Sequence, residues 1–143
     1  MTQNDTQQND TPQNDTRQNG TDRYADAVDR YLAAWNAGGA GADGVDKAVA
    51  AAFTEDATYT DPLADTAGHD GLAAVIAGAH AQFPGFVFRP LGTPDGHHDV
   101  VRFGWELVAP DGSAPVAGFD VATLAADGRI RTVSGFLDRV PAM

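Results

Sequence analysis

The sequence predicts an α+β domain, with helices packed on one face of an antiparallel sheet. Two observations carry this. Up to Gly85 the apolar residues recur at helical spacing, and beyond it they alternate as in strands. The second half is also punctuated by three Asp-Gly pairs, Asp95-Gly96, Asp111-Gly112 and Asp127-Gly128, each set between alternating apolar runs. Asp-Gly is a strong hairpin signal, because both central residues of a two-residue turn need positive φ. Four strands joined by three tight turns make a meander on which the helices can bury their apolar faces.

The elements follow in order. Residues 1–21 repeat a unit close to Thr-x-Gln-Asn-Asp and hold nothing apolar beyond Met1. Ordering them would cost backbone entropy with no burial to offset it, so a disordered tail is expected there, followed by one domain over residues 22–143. Thr21 or Asp22 can cap a first helix carrying Tyr24, Val28, Tyr31, Leu32 and Trp35 on one stripe and ending at Gly38-Gly39. A second helix over about Asp43–Ala52 buries Val45, Val49 and Phe53. A turn at Glu55-Asp56 then leads to a brief strand, Thr58-Tyr59-Thr60, stopped by Pro62. Gly68 precedes a third helix with Leu72, Val75, Ile76, Ala79 and Phe83 on its buried face and His69 and Asp70 as capping residues.

Bulk properties exclude several function classes. The net charge is −11 and Lys47 is the only lysine, a surface that repels nucleic acid and anionic membranes. With no cysteine there is no disulfide, zinc–thiolate site or thiol nucleophile. No apolar run reaches the roughly 18 residues of a membrane helix, and the N-terminus lacks the pattern of a signal peptide, so a cytoplasmic location is expected. His97 and His98 are adjacent on a strand and point to opposite faces, which argues against a metal site. No phosphate loop, nucleophile elbow or dinucleotide fingerprint is present, and no cofactor is implied.

Tight turns fix strand register. With two-residue turns at Asp111-Gly112 and Asp127-Gly128, Asp120 lies opposite Phe103 on one side and Gly135 on the other. Its face then carries Val101, Phe103, Trp105, Leu107, Gly118, Ala122, Leu124, Val133 and Leu137. A lone carboxyl on an apolar surface takes up a proton more readily than it stays ionised, so Asp120 reads as a neutral acid offered as a donor inside a pocket. The opposite face, with His98, Arg102, Glu106, Phe119, Val121, Ile130, Thr132 and Phe136, is too apolar to be left in water, and a sheet-to-sheet homodimer would cover it.

Three segments now look familiar together: Arg30-Tyr31-Leu32, the run Phe53–Pro62, and Phe119-Asp120-Val121 followed by Asp127-Gly128-Arg129-Ile130. In order and spacing they resemble the ketosteroid isomerases of the nuclear transport factor two-like superfamily, over nearly all of residues 22–140. The resemblance implies a cone-shaped fold of three helices on a curved sheet enclosing one apolar pocket. It also implies a catalytic triad: an aspartate base at Asp61, and an oxyanion hole of Tyr31 and protonated Asp120. Trp35, Phe53, Tyr59, Ile76, Val101, Phe103, Trp105, Gly118 and Gly135 are the expected pocket-lining residues, and a small hydrophobic carbonyl compound the expected ligand. The sequence departs from the isomerase pattern where further tyrosines support the donor tyrosine; the matching positions here are Phe53 and Ile76. SnoaL-like polyketide cyclases resemble the chain over the same length. In that reading Asp120 is the base and Asp61 secondary, and a dehydratase version would use His80. A non-catalytic binding or interaction module is the alternative from another class, since this fold hosts many functions.

Overall fold

The computed structural model describes residues 22–39 and 41–141; the tail expected over residues 1–21 lies outside the described residues. Helix α1 (Arg23–Asn36) starts where the Asp22 carboxylate accepts the backbone N–H groups of Tyr24 and Ala25. Such a cap is worth about 1 kcal/mol. Its buried stripe, Val28, Tyr31, Leu32 and Trp35 with Ala27 and Ala34, repeats at helical spacing and faces the sheet. Helix α2 (Gly41–Ala52) buries Val45, Val49 and Ala52. Helix α3 (Gly68–Gln82) buries Leu72 and Ile76, with Val75 and Ala79 half-buried beside them. Neither His69 nor Asp70 caps α3. Its cap residue is Ala67, without a side-chain bond, and His69 Nε2 turns instead to the Phe53 carbonyl at 2.9 Å. Among the described residues no helix is long and apolar enough to cross a membrane.

The described strands are β1 (Phe53–Thr60), β2 (Asp65–Ala67), β3 (Val87–His97), β4 (Val100–Val108), β5 (Val116–Leu124) and β6 (Ile130–Arg139). They form one mixed sheet in the order β2-β1-β6-β5-β4-β3, antiparallel except that β1 and β6 run parallel. Three helices over this sheet give the α+β class expected. The turn anticipated at Glu55-Asp56 is instead part of β1. The irregularity appears as a bulge, with Phe53 opposite Ile130 but Thr58 already opposite Thr132. Arg129 donates there to the Phe53 carbonyl and to the Ala50 carbonyl in the last turn of α2, an acceptor the helix end leaves free. The short strand β2 was not foreseen.

The Asp-Gly pairs behave differently from one another. Asp127-Gly128 closes a three-residue turn in which Ala125 N–H bonds the Arg129 carbonyl and only Gly128 has positive φ, at 90°. Asp111-Gly112 does the same between Ala109 and Ser113, with Gly112 at 90°. An asparagine-like positive φ at aspartate is thus not needed, because a glycine bulge follows each turn. The extra residue is absorbed before mid-strand; in β5–β6 this occurs between Thr123 and Leu124. Asp120 therefore still pairs with Phe103 and Gly135. The same bulge breaks alternation at the start of β6 and turns Ile130, expected on the outer face, fully into the core.

Asp95-Gly96 is not a turn. It lies inside β3, and the β3–β4 turn is made by His98 (φ 50°) and Asp99. Gly96 is needed for space: a Cβ there would lie 2.4 Å from Tyr24 Cδ1. His98 accordingly sits in a turn rather than on a strand face, where its carbonyl accepts the Tyr24 hydroxyl at 2.8 Å.

Candidate active site

A cavity of about 800 Å³ opens between α1, α3 and the inner sheet face. Its walls are apolar and aromatic, with Leu32 and Trp35 from α1, Val75 and Ala79 from α3, and Phe88, Trp105, Leu107 and Leu137 from the sheet. Leu63 and Val140, 81% and 58% exposed, line its rim. Among the described residues, the ionisable acids of its lining are two carboxyls, Asp61 and Asp120, and no Lys, Arg or His lines it.

Each carboxyl is positioned by its own stretch of chain. Asp61 follows β1, two residues after Tyr59, so both side chains leave on the same side. The chain then reverses: Asp61 N–H bonds the Ala64 carbonyl at 2.8 Å, while Asp61 Oδ1 accepts the N–H groups of Leu63 and Ala64 at 2.7 and 2.8 Å. Pro62, lacking an N–H, fits the turn without leaving an unpaired donor. Oδ2 accepts the Tyr59 hydroxyl in a short hydrogen bond.

Asp120, in mid-β5, is 2% exposed. Tyr31 donates its hydroxyl to Oδ2 at 2.5 Å, and the Trp105 indole N–H donates to Oδ1 at 3.2 Å. Burial pushes the Asp120 carboxyl up to about 6; the Tyr31 and Trp105 hydrogen bonds pull it down and the charge of Asp61 pushes it up. Burial and the neighbouring carboxyls hold the Tyr31 and Tyr59 hydroxyls far above the usual phenol range, so both remain donors.

Gly135 of β6 brings the two acids together. A Cβ on it would lie 2.8 Å from Asp120 Oδ1 and 3.2 Å from Asp61 Cβ. Gly118 does the equivalent for Trp105, since a Cβ there would meet the indole at 2.8 Å and the Phe136 carbonyl at 2.1 Å.

The structure thus brings Tyr31, Asp61 and Asp120 to one cavity wall, with Tyr59, Trp35 and Trp105 beside them. Phe53, Ile76, Val101 and Phe103, expected as pocket lining, are core residues instead; Phe53 and Phe103 pack edge-on against the Tyr31 ring at 5.7 and 5.0 Å and fix its orientation. Gly118 and Gly135 are likewise not on the cavity surface but make room behind it. His80 does not reach the cavity: its Nε2 bonds the Trp35 carbonyl at 2.5 Å and its ring packs against Gly38. Sequence reasoning missed the Trp105–Asp120 hydrogen bond and put Ile76, rather than Val75 and Ala79, on the α3 wall. The first was detectable, because Trp105 lies opposite Gly118, two residues from Asp120 on the same face. Among the described residues, no three of His, Asp and Glu cluster to hold a metal ion.

The sequence model of the SnoaL-like domain matches residues 28–133. Among solved structures, a candidate isomerase of the SnoaL-like family from Agrobacterium tumefaciens is 41% identical, with a TM-score of 0.76 over 81% of this chain and 97% of that one. A candidate SnoaL-like polyketide cyclase from Jannaschia sp. is 20% identical (TM-score 0.62, 85% of this chain and 91% of that one) and shares the fold. So does an NTF2-like protein of unknown function from Exiguobacterium sp., at 22% identity (TM-score 0.62, 78% and 98%). No curated protein matches. With the helix–sheet architecture and these matches, the chain belongs to the SnoaL-like domain family.

Proposed function

We propose that this protein catalyses proton transfer at a carbon beside the carbonyl of a small hydrophobic molecule, an allylic isomerisation through an enolate. The observation that carries the reading is the pair of carboxyls on one apolar wall, each hydrogen-bonded by its own tyrosine. The 41% identity to a protein named as a candidate isomerase supports it.

Asp61 is the base. Its Oδ1 is anchored by two backbone N–H groups, which leaves Oδ2, steadied by Tyr59, to take the proton and return it elsewhere on the same face of the ligand. Asp120, whose carboxyl burial pushes up to about 6, is the acid that holds a proton below that pH. Once protonated, Asp120 can donate to Tyr31 Oη, reversing the hydrogen bond and freeing the tyrosine O–H for the ligand carbonyl. A positioned base contributes on the order of 10²–10⁴ in rate. A well-placed oxyanion donor contributes on the order of 10²–10³.

Turnover of a β,γ-unsaturated ketone, followed by conjugated-enone absorbance in wild type, Asp61→Asn and Asp120→Ala, tests the reading. Abolition by Asp61→Asn with a smaller loss in Asp120→Ala is expected. Wild-type inactivity toward such ketones, with the ketone still bound, would sink it.

One observation favours a second reading, aldol cyclisation with Asp120 as base: a carboxyl at about 6 is well matched to abstraction near neutral pH. The pH profile separates the two. With Asp120 as protonated donor, kcat falls as pH rises through about 6; with Asp120 as base, it rises there.

A second copy of the chain on the outer sheet face belongs to the same proposal. Its support is the stacked pair Phe119–Phe136, centroids 4.9 Å apart, with Phe136 48% exposed. Sedimentation of a monomer at micromolar concentration would count against it.

A further inference from the structure

A protonated Asp120 has two oxygens for one proton, and only one of the two placements serves the scheme above. On Oδ2, which faces Tyr31 Oη at 2.5 Å, the proton is donated to the tyrosine oxygen and the tyrosine O–H is released to the cavity. On Oδ1 it leaves Oδ2 as a carbonyl oxygen, and Tyr31 keeps its own proton in that hydrogen bond.

Trp105 acts on this choice. Its indole N–H lies 3.2 Å from Oδ1 and can donate but never accept. In a carboxylic acid the carbonyl oxygen is the better acceptor, so the indole favours Oδ1 as carbonyl and Oδ2 as hydroxyl. The ring is held there from two sides. Gly118, its partner across the β4–β5 pair, lies so close behind it that a Cβ would come within 2.8 Å of Cζ2. Phe88 meets it edge-on, with centroids 5.6 Å apart. A phenylalanine would line the cavity as well; what tryptophan adds is the N–H.

We infer that Trp105 is a positioning residue that holds the Asp120 proton on Oδ2 and so turns the Tyr31 O–H toward the cavity. Its catalytic use rests on the enolate reading above, while the proton placement is a property of the resting site. The titratable groups facing Asp120 are Tyr31 of α1, Tyr59 of β1 and Asp61 just after it, and β6 presents Gly135 there. These neighbours govern whether Asp120 ionises. Among the described residues, only the side-chain bonds from Tyr31 and Trp105 tell one of its oxygens from the other.

The probe is 2-acetonaphthone, a neutral hydrophobic ketone with no double bond to isomerise, ¹³C-labelled at its carbonyl for infrared spectroscopy. Bound at saturation to wild type at pH 5, where Asp120 holds its proton, it should show a carbonyl band at lower frequency than at pH 8, because Tyr31 then donates to it. In Trp105→Phe at pH 5 the low-frequency population should shrink about tenfold, the scale of one hydrogen bond in the balance between two proton positions. The kcat for a β,γ-unsaturated ketone should fall by a similar factor. Asp61→Asn should keep the pH-dependent band; its loss there would assign the titration to the wrong carboxyl and overturn the inference. A full-strength low-frequency band in saturated Trp105→Phe means that the ring only packs, which also overturns it. So does a wild-type band unchanged between pH 5 and pH 8, a result that stands even if the variant does not fold. The two ideas fail separately: a pH-dependent band lost in Trp105→Phe, in a protein without ketone turnover, removes the isomerase reading and keeps the proton placement. Absence of 2-acetonaphthone binding overturns both.

Discussion

Replacing Asp120 by asparagine should stabilise the protein at neutral pH while disabling the site. Burial raises the Asp120 carboxyl from 3.8 to about 6, so the folded chain holds that proton more tightly than the unfolded chain. Its contribution to stability is therefore fullest below 3.8, is lost as pH rises toward about 6, and stays lost above it. The difference of roughly two pKa units corresponds to about 3 kcal/mol. Asparagine keeps the shape and removes the charge. Its oxygen can accept from Trp105 and its amide can donate to Tyr31 Oη, so neither partner is stranded. Urea denaturation of both proteins from pH 4 to pH 8 is the assay. The difference, variant minus wild type, should grow by about 2–3 kcal/mol over that range in favour of the variant and level off above about pH 7. A difference independent of pH would mean that Asp120 is ionised as readily inside the fold as outside it. The account of the site as a proton-holding pocket would then be wrong.

Three further outcomes are expected. Tyr31→Phe removes the strongest hydrogen bond holding the Asp120 carboxyl down, so that group should titrate above 6, seen by carboxyl ¹³C NMR. Ketone turnover should fall on the order of 10²–10³ in the same variant. Gly135→Ala places a Cβ 2.8 Å from Asp120 Oδ1; thermal denaturation should show a loss of about 1–3 kcal/mol along with lost turnover, and an unchanged Tm would contradict the packing. Gly96→Ala, with its Cβ 2.4 Å from Tyr24, should destabilise the α1–β3 contact, and adding Tyr24→Ala should recover part of the loss. Strict additivity in that double-mutant cycle would show that the two residues do not touch.

Much of the frame was legible before any coordinates. The α1 stripe was read correctly because 3.6-residue periodicity in Val28, Tyr31, Leu32 and Trp35 reports one buried face directly. The register of β4, β5 and β6 came out right although the turns differ in kind, since the extra residue in the last of them is taken back by a bulge before mid-strand. The errors share one cause. Asp-Gly at 95–96 reads as a turn by local preference, but Gly96 is there to let Tyr24 of α1 come close, a tertiary demand without a local signature. Ile130 and the strand β2 were misplaced or missed for the same reason: bulges and short edge pairings depend on what lies across the sheet.

Residue order alone made Asp120 an acid on an apolar face, because strand alternation and pairing are one-dimensional rules. Order could not say that Tyr31 and Trp105 would take one oxygen each of that acid. Nor could it bring Asp61, at the end of β1, close to Asp120 of β5 across Gly135. Those facts depend on the angle at which α1 crosses the sheet and on the missing side chain at Gly135. Hydrogen-bond reach changes over a few tenths of an ångström, far finer than the spacing of residues along a chain, so only the packed molecule decides them.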